Sequence, residues 1–81
     1  MATARSPAHL ALGRSVREFR DALGLSQEEL AHRSGLHRNY IGGIERGELN
    51  PSFASLLQLT EALEIRFSLL IARFEELSEQ T

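Results

Sequence analysis

Residues 25–47 read LSQEELAHRSGLHRNYIGGIERG and predict two short helices joined by a tight turn. The first helix begins after Ser26, because Ser26 and Glu29 have the spacing of a capping box, in which each side chain satisfies a backbone amide of the other residue. Gly35 follows this helix at the position where a left-handed residue is favoured. The sequence therefore predicts a helix of about two turns that ends at Gly35.

The second helix of this stretch runs from near His37 to Arg46, and Gly47 ends it. Ile41 and Ile44 are three residues apart, so they lie on one face and form its buried pair. The other face carries polar side chains at the start of the helix. The sequence therefore predicts a second short helix with one buried side.

The turn between the two helices indicates how they pack. Two helices can cross steeply when a small residue lies at the crossing and the turn accepts a positive φ. Ala31 and Gly35 meet these two needs. The pattern is therefore that of a helix-turn-helix, whose second helix is the one that enters a DNA major groove.

Gly42 and Gly43 lie side by side inside the second helix. Each costs about 1 kcal/mol of helix stability relative to Ala, so packing must hold this helix. Two interpretations are open: the pair is a local weakness, or it lets the backbone approach DNA or a partner closely.

The rest of the chain predicts three more helices and no strand, since no segment alternates with period two. Helix 1 begins at Ser6-Pro7, stops at Gly24 and has an apolar stripe of Leu12, Val16, Phe19 and Leu23. Helix 4 is capped by Ser52 and buries Leu56, Leu59 and Leu63. Helix 5 carries a wide apolar face of Phe67, Leu70, Ile71, Phe74 and Leu77. The predicted fold class is all-α.

The composition of the chain excludes several classes of function. The 81 residues suffice for one domain, and the absence of Cys excludes disulfides and thiol catalysis. The net charge is −2, but residues 1–50 carry seven Arg against six acids, while residues 51–81 carry two Arg against five. No apolar run is long enough to cross a bilayer, so we expect a cytoplasmic protein.

Nothing in the sequence indicates an enzyme, a cofactor or a small-molecule ligand. His9, His32 and His37 share no ligand spacing on one helix face, which argues against a metal site. No phosphate-binding glycine loop and no nucleophile motif is present. We therefore expect a protein without catalytic residues.

The ordered motifs resemble the Cro/CI-type helix-turn-helix family, also called the XRE family. The resemblance covers roughly residues 10–70 and is carried by LSQEELA (25–31), GL (35–36), YI (40–41), IERG (44–47) and NPS (50–52). It implies a five-helix lambda-repressor-like DNA-binding domain and no cofactor. Within the family, the short length, the run at residues 38–41 and the apolar fifth helix most resemble restriction–modification controller proteins.

The resemblance also implies roles for particular residues. Base edges would be read by Arg38 and Asn39, whose side chains suit guanine and adenine respectively. The DNA backbone would be contacted by Gln27, Tyr40 and Arg46, and an internal ion pair would join Arg20 to Glu45. Two alternatives remain: the polar residues at the start of the recognition helix are merely solvated, and Tyr40 is a packing residue. Gly43 lies where many relatives read a further base.

The apolar face of helix 5 exceeds what a small bundle needs for its own closure. It either caps the end of the core or forms a two-fold dimer interface, and we favour the dimer because one short helix-turn-helix contacts few bases. The predicted division is residues 1–9 as an arm and the start of helix 1, residues 10–66 as the helix-turn-helix domain, and residues 67–81 as a dimerisation helix. The expected function is a homodimeric, sequence-specific transcriptional regulator bound to double-stranded DNA. The alternative is an antitoxin or other protein-interaction module that uses helix 5.

Overall fold

The computed structural model describes residues 5–80, and this range contains five α-helices and no strand. The helices are α1 (Pro7–Ala22), α2 (Gln27–Ser34), α3 (Arg38–Glu45), α4 (Phe53–Ala62) and α5 (Phe67–Glu79). The prediction of an all-α fold with five helices is confirmed. The arm predicted at the N-terminus falls partly on residues 1–4, which lie outside the described residues, as does residue 81.

Serine side chains start three of the helices. The hydroxyls of Ser6, Ser26 and Ser52 each accept a hydrogen bond from the backbone N–H three residues later. At Ser26 the capping box is complete, because the carboxylate of Glu29 also accepts from the Ser26 N–H at 2.8 Å. Arg66 begins α5 without a side-chain cap. Helix starts at α1, α2 and α4 are therefore specified locally.

The core lies where all five helices meet. Its least exposed large side chains are Val16, Leu30, Ile41, Ile44, Leu59, Leu63 and Leu70. The predicted buried pair of α3, Ile41 and Ile44, belongs to this set. Leu23 does not, and its place in the apolar stripe of helix 1 was wrong: it is the C-cap of α1, where the chain turns away and leaves the side chain exposed.

The helix α5 packs along α1 and closes the bundle. Leu70 and Leu77, predicted for a dimer interface, are only 0% and 2% exposed within this single chain. Neither has surface left for a second chain, so that part of the prediction is corrected: they seal the protomer's own core. Arg73 Nε of α5 also donates to Glu18 Oε1 of α1 at 2.7 Å.

The crossing of α1 and α3 depends on Gly13. A Cβ at Gly13 would overlap the backbone carbonyl oxygens of Ile44 and Glu45. Any side chain there would push the two helices apart, since backbone atoms cannot rotate away as a side chain can. This contact positions α3 on the rest of the fold, and the sequence reasoning did not find it.

Candidate nucleic-acid interface

The first turn of α3 lies on the protein surface. Arg38 has 59% of its side chain exposed, and Asn39 beside it is exposed as well. His37 is the N-cap of α3, and its Nδ1 accepts a hydrogen bond from the Asn39 N–H at 3.0 Å. A guanidinium and an amide therefore extend from a capped helix start, opposite the buried side of α3.

A polar cluster fixes α3 against the helices that precede it. Arg20 donates from Nε to Glu45 Oε2 at 2.7 Å and from Nη2 to Glu45 Oε1 at 2.9 Å. The two side chains are 10% and 4% exposed, so solvent weakens this pair little. The hydrogen bond that Arg20 donates to Glu45 raises the pKa of Arg20, which keeps it charged. The structure thus brings together the two residues that the resemblance paired.

Two further contacts complete this polar cluster. Arg20 Nη1 donates to the carbonyl of Leu25, in the loop before α2, at 2.8 Å. Gln27, the first residue of α2, donates from Nε2 to Glu45 Oε1 at 3.0 Å. One carboxylate on α3 is therefore held by α1 and α2 together. This arrangement sets the angle between the two helices of the helix-turn-helix.

The glycine pair of α3 is covered by side chains from other segments. A Cβ at Gly42 would lie 3.0 Å from Arg46 Nη1 and 3.4 Å from Gln27 Oε1. A Cβ at Gly43 would lie 2.5 Å from Leu49 Cδ1. Both glycines are buried. The pair therefore permits close packing within the chain, a role that neither interpretation of the sequence included, and position 43 cannot itself present a side chain to DNA.

Tyr40 is a packing residue whose hydroxyl group reaches the surface. Its ring packs against the core, and its hydroxyl oxygen accepts a hydrogen bond from the Ser52 N–H at 3.4 Å. The hydroxyl is thereby held near the end of the loop that leads into α4. Its own proton remains able to donate, because a tyrosine hydroxyl both donates and accepts.

Arg46, at the end of α3, shares a carboxylate with a residue near the N-terminus. Its Nε lies 3.1 Å from Glu48 Oε2, and Arg5 Nη2 donates to the same oxygen at 2.6 Å. The hydrogen bonds from Arg46 and then Arg5 hold the pKa of Glu48 below its usual range. Arg38 lies farther from its acidic neighbour, with 3.8 Å between Nη1 and Glu28 Oε1.

The remaining residues predicted for a dimer interface keep part of their surface. Phe67, Ile71 and Phe74 are half-buried and follow one another along one side of α5. The ring of Phe67 packs edge-on against Phe53, with 5.5 Å between centroids. Phe53 is largely exposed and was not among the predicted residues. We call Phe53, Phe67, Ile71 and Phe74 the aromatic surface.

No group of three or more His, Asp or Glu side chains within residues 5–80 is arranged to hold a metal ion. In the same range, no helix is long and apolar enough to span a bilayer.

Comparison with known proteins agrees with this geometry. A family model described as helix-turn-helix matches residues 16–70. Control protein C.SmaI from Serratia marcescens is 45% identical over 62 residues, which cover 76% of this chain and 74% of that protein. The crystal structure of the restriction-modification controller protein C.AhdI from Aeromonas hydrophila has a TM-score of 0.75 and 48% identity, and covers 76% of this chain and 94% of its own. That of the controller protein C.Esp1396I has a TM-score of 0.87 and 27% identity, and covers 95% of this chain and 100% of its own.

Proposed function

We propose that this chain, which belongs to the helix-turn-helix family of DNA-binding transcriptional regulators, acts as a homodimer that binds a two-part operator and controls a restriction–modification system. The observation that carries the proposal is the exposed first turn of α3, with Arg38 and Asn39 on a helix that the polar cluster holds in place. In each subunit, α3 enters the major groove. The two half-sites then lie about 34 Å apart, or a multiple of that distance.

Base reading is assigned to the start of α3. The guanidinium of Arg38 is suited to guanine O6 and N7, and the amide of Asn39 to adenine N6 and N7. Both side chains are exposed, so binding displaces water and no core contact. The weak approach of Arg38 to Glu28, at 3.8 Å, is broken at little cost when a base takes its place.

Contacts to the DNA backbone are assigned to Gln27, Tyr40 and Arg46. Gln27 uses an amide N–H on Glu45, which leaves its second N–H for a phosphate oxygen. The hydroxyl of Tyr40 can donate in the same way, because its one contact in the structure is as an acceptor. Arg46 keeps donors beyond the one near Glu48. Such contacts set the register of the protein on DNA and carry no sequence information themselves.

The aromatic surface is assigned to the two-fold dimer contact. Phe53 and Phe67 pack edge to face at the surface, and Ile71 and Phe74 continue the same side of α5. Exposed aromatic rings of this kind are typical of interfaces between subunits. Burial of Leu70 and Leu77 leaves a narrower apolar face than the sequence predicted, and the dimer contact is confined to the aromatic surface.

The control of restriction and modification is inferred from the relatives. Control protein C.SmaI and the controller protein C.AhdI both match this chain over about three quarters of its length. C.AhdI is described as a restriction-modification controller protein, and C.SmaI as a control protein. The same role for this chain means that its operator lies upstream of genes for a restriction enzyme or a DNA methyltransferase.

Selection of bound sequences from a random DNA pool tests the proposed DNA binding. The selected operator should contain two inverted half-sites, and scrambled DNA of equal length should bind far more weakly. Arg38→Ala should lose about 1–3 kcal/mol of specific binding. Arg17→Ala is the matched control, since Arg17 on α1 has 67% of its side chain exposed against 59% for Arg38. Equal losses in the two variants would contradict the assignment.

Sedimentation of charge variants tests the dimer. Phe53→Glu and Phe74→Glu should both convert the dimer to monomer while the helix content is kept, because a buried charge opposes the contact. Leu23→Glu, at an exposed leucine in the turn between α1 and α2, should leave the dimer intact. A dimer that survives both phenylalanine substitutions would mean that the subunits meet elsewhere.

A further inference from the structure

The second turn of α3 has no side chain of its own on the surface that continues from its first turn. Gly42 and Gly43 follow Arg38 and Asn39 by four residues each, so the four positions share one side of the helix. The opposite side is formed by the buried residues Ile41 and Ile44. Whatever covers the two glycines therefore lies beside the side chains assigned to base reading.

Leu49 is the residue that covers Gly43. A Cβ at Gly43 would lie 2.5 Å from Leu49 Cδ1 and 2.8 Å from Leu49 Cγ, so the leucine occupies the place of the missing side chain. The turn after α3 puts it there: Gly47 has φ +74°, and the Glu48 N–H donates back to the Gly43 carbonyl at 2.9 Å. This pattern reverses the chain at the end of a helix.

Leu49 is not a core residue. It lies outside the cluster of buried side chains, and 37% of its surface is exposed. Because Gly43 is four residues beyond Asn39, a rise of about 1.5 Å per residue puts Leu49 roughly 6 Å farther along the reading side of α3. An apolar side chain is thus held at the surface next to two polar ones.

Resting on the proposed function, we propose that Leu49 is a specificity-determining residue that reads the 5-methyl group of a thymine in the major groove. The methyl group of thymine is the apolar feature that base edges present there, and aliphatic side chains contact it. The thymine lies within about two base pairs of the base that Asn39 reads. The loop after α3 thereby supplies a contact that the glycine pair cannot.

Replacement of each operator thymine by deoxyuridine tests this proposal, because the exchange removes the methyl group and keeps the base pair. Each half-site should contain one thymine whose methyl group is buried. Replacement of that thymine in a single half-site should raise the Kd of the wild-type protein about fourfold. Replacement in both half-sites should raise it about sixteenfold. The wild-type protein is first shown to prefer the operator over scrambled DNA.

Leu49→Ala should bind the thymine and deoxyuridine operators equally. The matched control is Leu57→Ala, since Leu57 is an exposed leucine of α4 at 43% against 37% for Leu49, and it should keep the full discrimination. Gly43→Ala provides a second variant, and the nearest atoms to its added methyl group belong to the Leu49 side chain, which can rotate away as backbone cannot. Its added methyl displaces the Leu49 side chain, so it too should lose the discrimination.

Three results would overturn the proposal, two of them without affecting the proposed function. A wild-type protein that binds its operator specifically but responds to no thymine replacement, or a Leu49→Ala variant that keeps the wild-type ratio, refutes the role of Leu49 and leaves the proposed function intact. Failure of the wild-type protein to prefer any DNA sequence refutes the proposed function, and the role of Leu49 with it.

Discussion

Removal of the carboxylate of Glu45 should destabilise the protein and disturb DNA binding together. In Glu45→Ala, Arg20 stays in place with a side chain only 10% exposed and loses both of its bonds to the carboxylate. Gln27 loses its partner as well. We therefore expect the largest effect of any single polar substitution in the helix-turn-helix.

The magnitude follows from the contacts that remain. Removal of one partner from a buried ion pair costs about 3–5 kcal/mol, because the other charge stays buried. Arg20 keeps its hydrogen bond to the Leu25 carbonyl at 2.8 Å and lies 3.4 Å from Asp21 Oδ1. Because these contacts partly compensate the charge, the cost should lie at the lower end of that range. We expect a loss of about 3 kcal/mol. A domain of this size has a total stability of roughly 4–12 kcal/mol, so the variant still folds.

Urea unfolding of a variant with both partners replaced tests whether the cost comes from an unpaired buried charge. Arg20→Met combined with Glu45→Leu should recover stability to within about 1 kcal/mol of the wild type, since apolar replacements of both partners leave no buried charge. The double variant should still bind the operator more weakly, because Gln27 and the angle of α3 are no longer held. A loss below about 1 kcal/mol for Glu45→Ala, or a double variant as unstable as Glu45→Ala, would show that an unpaired Arg20 charge is not what destabilises the protein.

Three further predictions concern stability. Gly13→Ala should lower the free energy of unfolding, measured by urea titration, by about 1–3 kcal/mol, because the added methyl group meets backbone carbonyls that cannot move aside. Unchanged stability would contradict the close crossing of α1 and α3. Glu64 has φ +60°, so Glu64→Gly should raise the free energy of unfolding by about 1 kcal/mol and the Tm accordingly, whereas Glu64→Ala should raise neither. The hydrogen bond from Arg73 lowers the pKa of Glu18, so this pair stabilises the fold above the ordinary carboxyl pKa of about 4.3, and the contribution is lost as the pH falls through the lowered value. The free energy of unfolding should therefore fall less steeply below about pH 4.3 in Arg73→Met than in the wild type. The same pH dependence in both proteins would show that the Arg73–Glu18 pair does not contribute to acid destabilisation.

Local features of the fold were predictable from the sequence because their causes are local. Ser26 and Glu29 cap α2 within a single turn, and Gly35 and Gly47 end their helices with φ of +75° and +74°. The spacing of Ile41 and Ile44 placed the buried side of α3. Each of these features depends on residues a few positions apart, which a sequence displays directly.

Features that depend on distant contacts were not predictable in this way. Gly13 gave no local indication that α3 crosses it, and an apolar stripe does not say whether a subunit's own core or a partner covers it. Their spacing therefore predicts a dimer interface for Leu70 and Leu77, whereas the structure buries both within one chain. The glycines of α3 gain their meaning only when Leu49, from the loop that follows, is seen to cover Gly43.

Protection of guanine N7 atoms from dimethyl sulfate on the selected operator shows whether α3 lies in the major groove, because N7 faces that groove. We expect one strongly protected guanine in each half-site, with the two separated by about one helical turn or a multiple of it. Protection of both should disappear in Arg38→Ala and persist in Arg17→Ala. An operator with no protected guanine, or the same protection with Arg38→Ala, would contradict the claim that α3 reads DNA through Arg38.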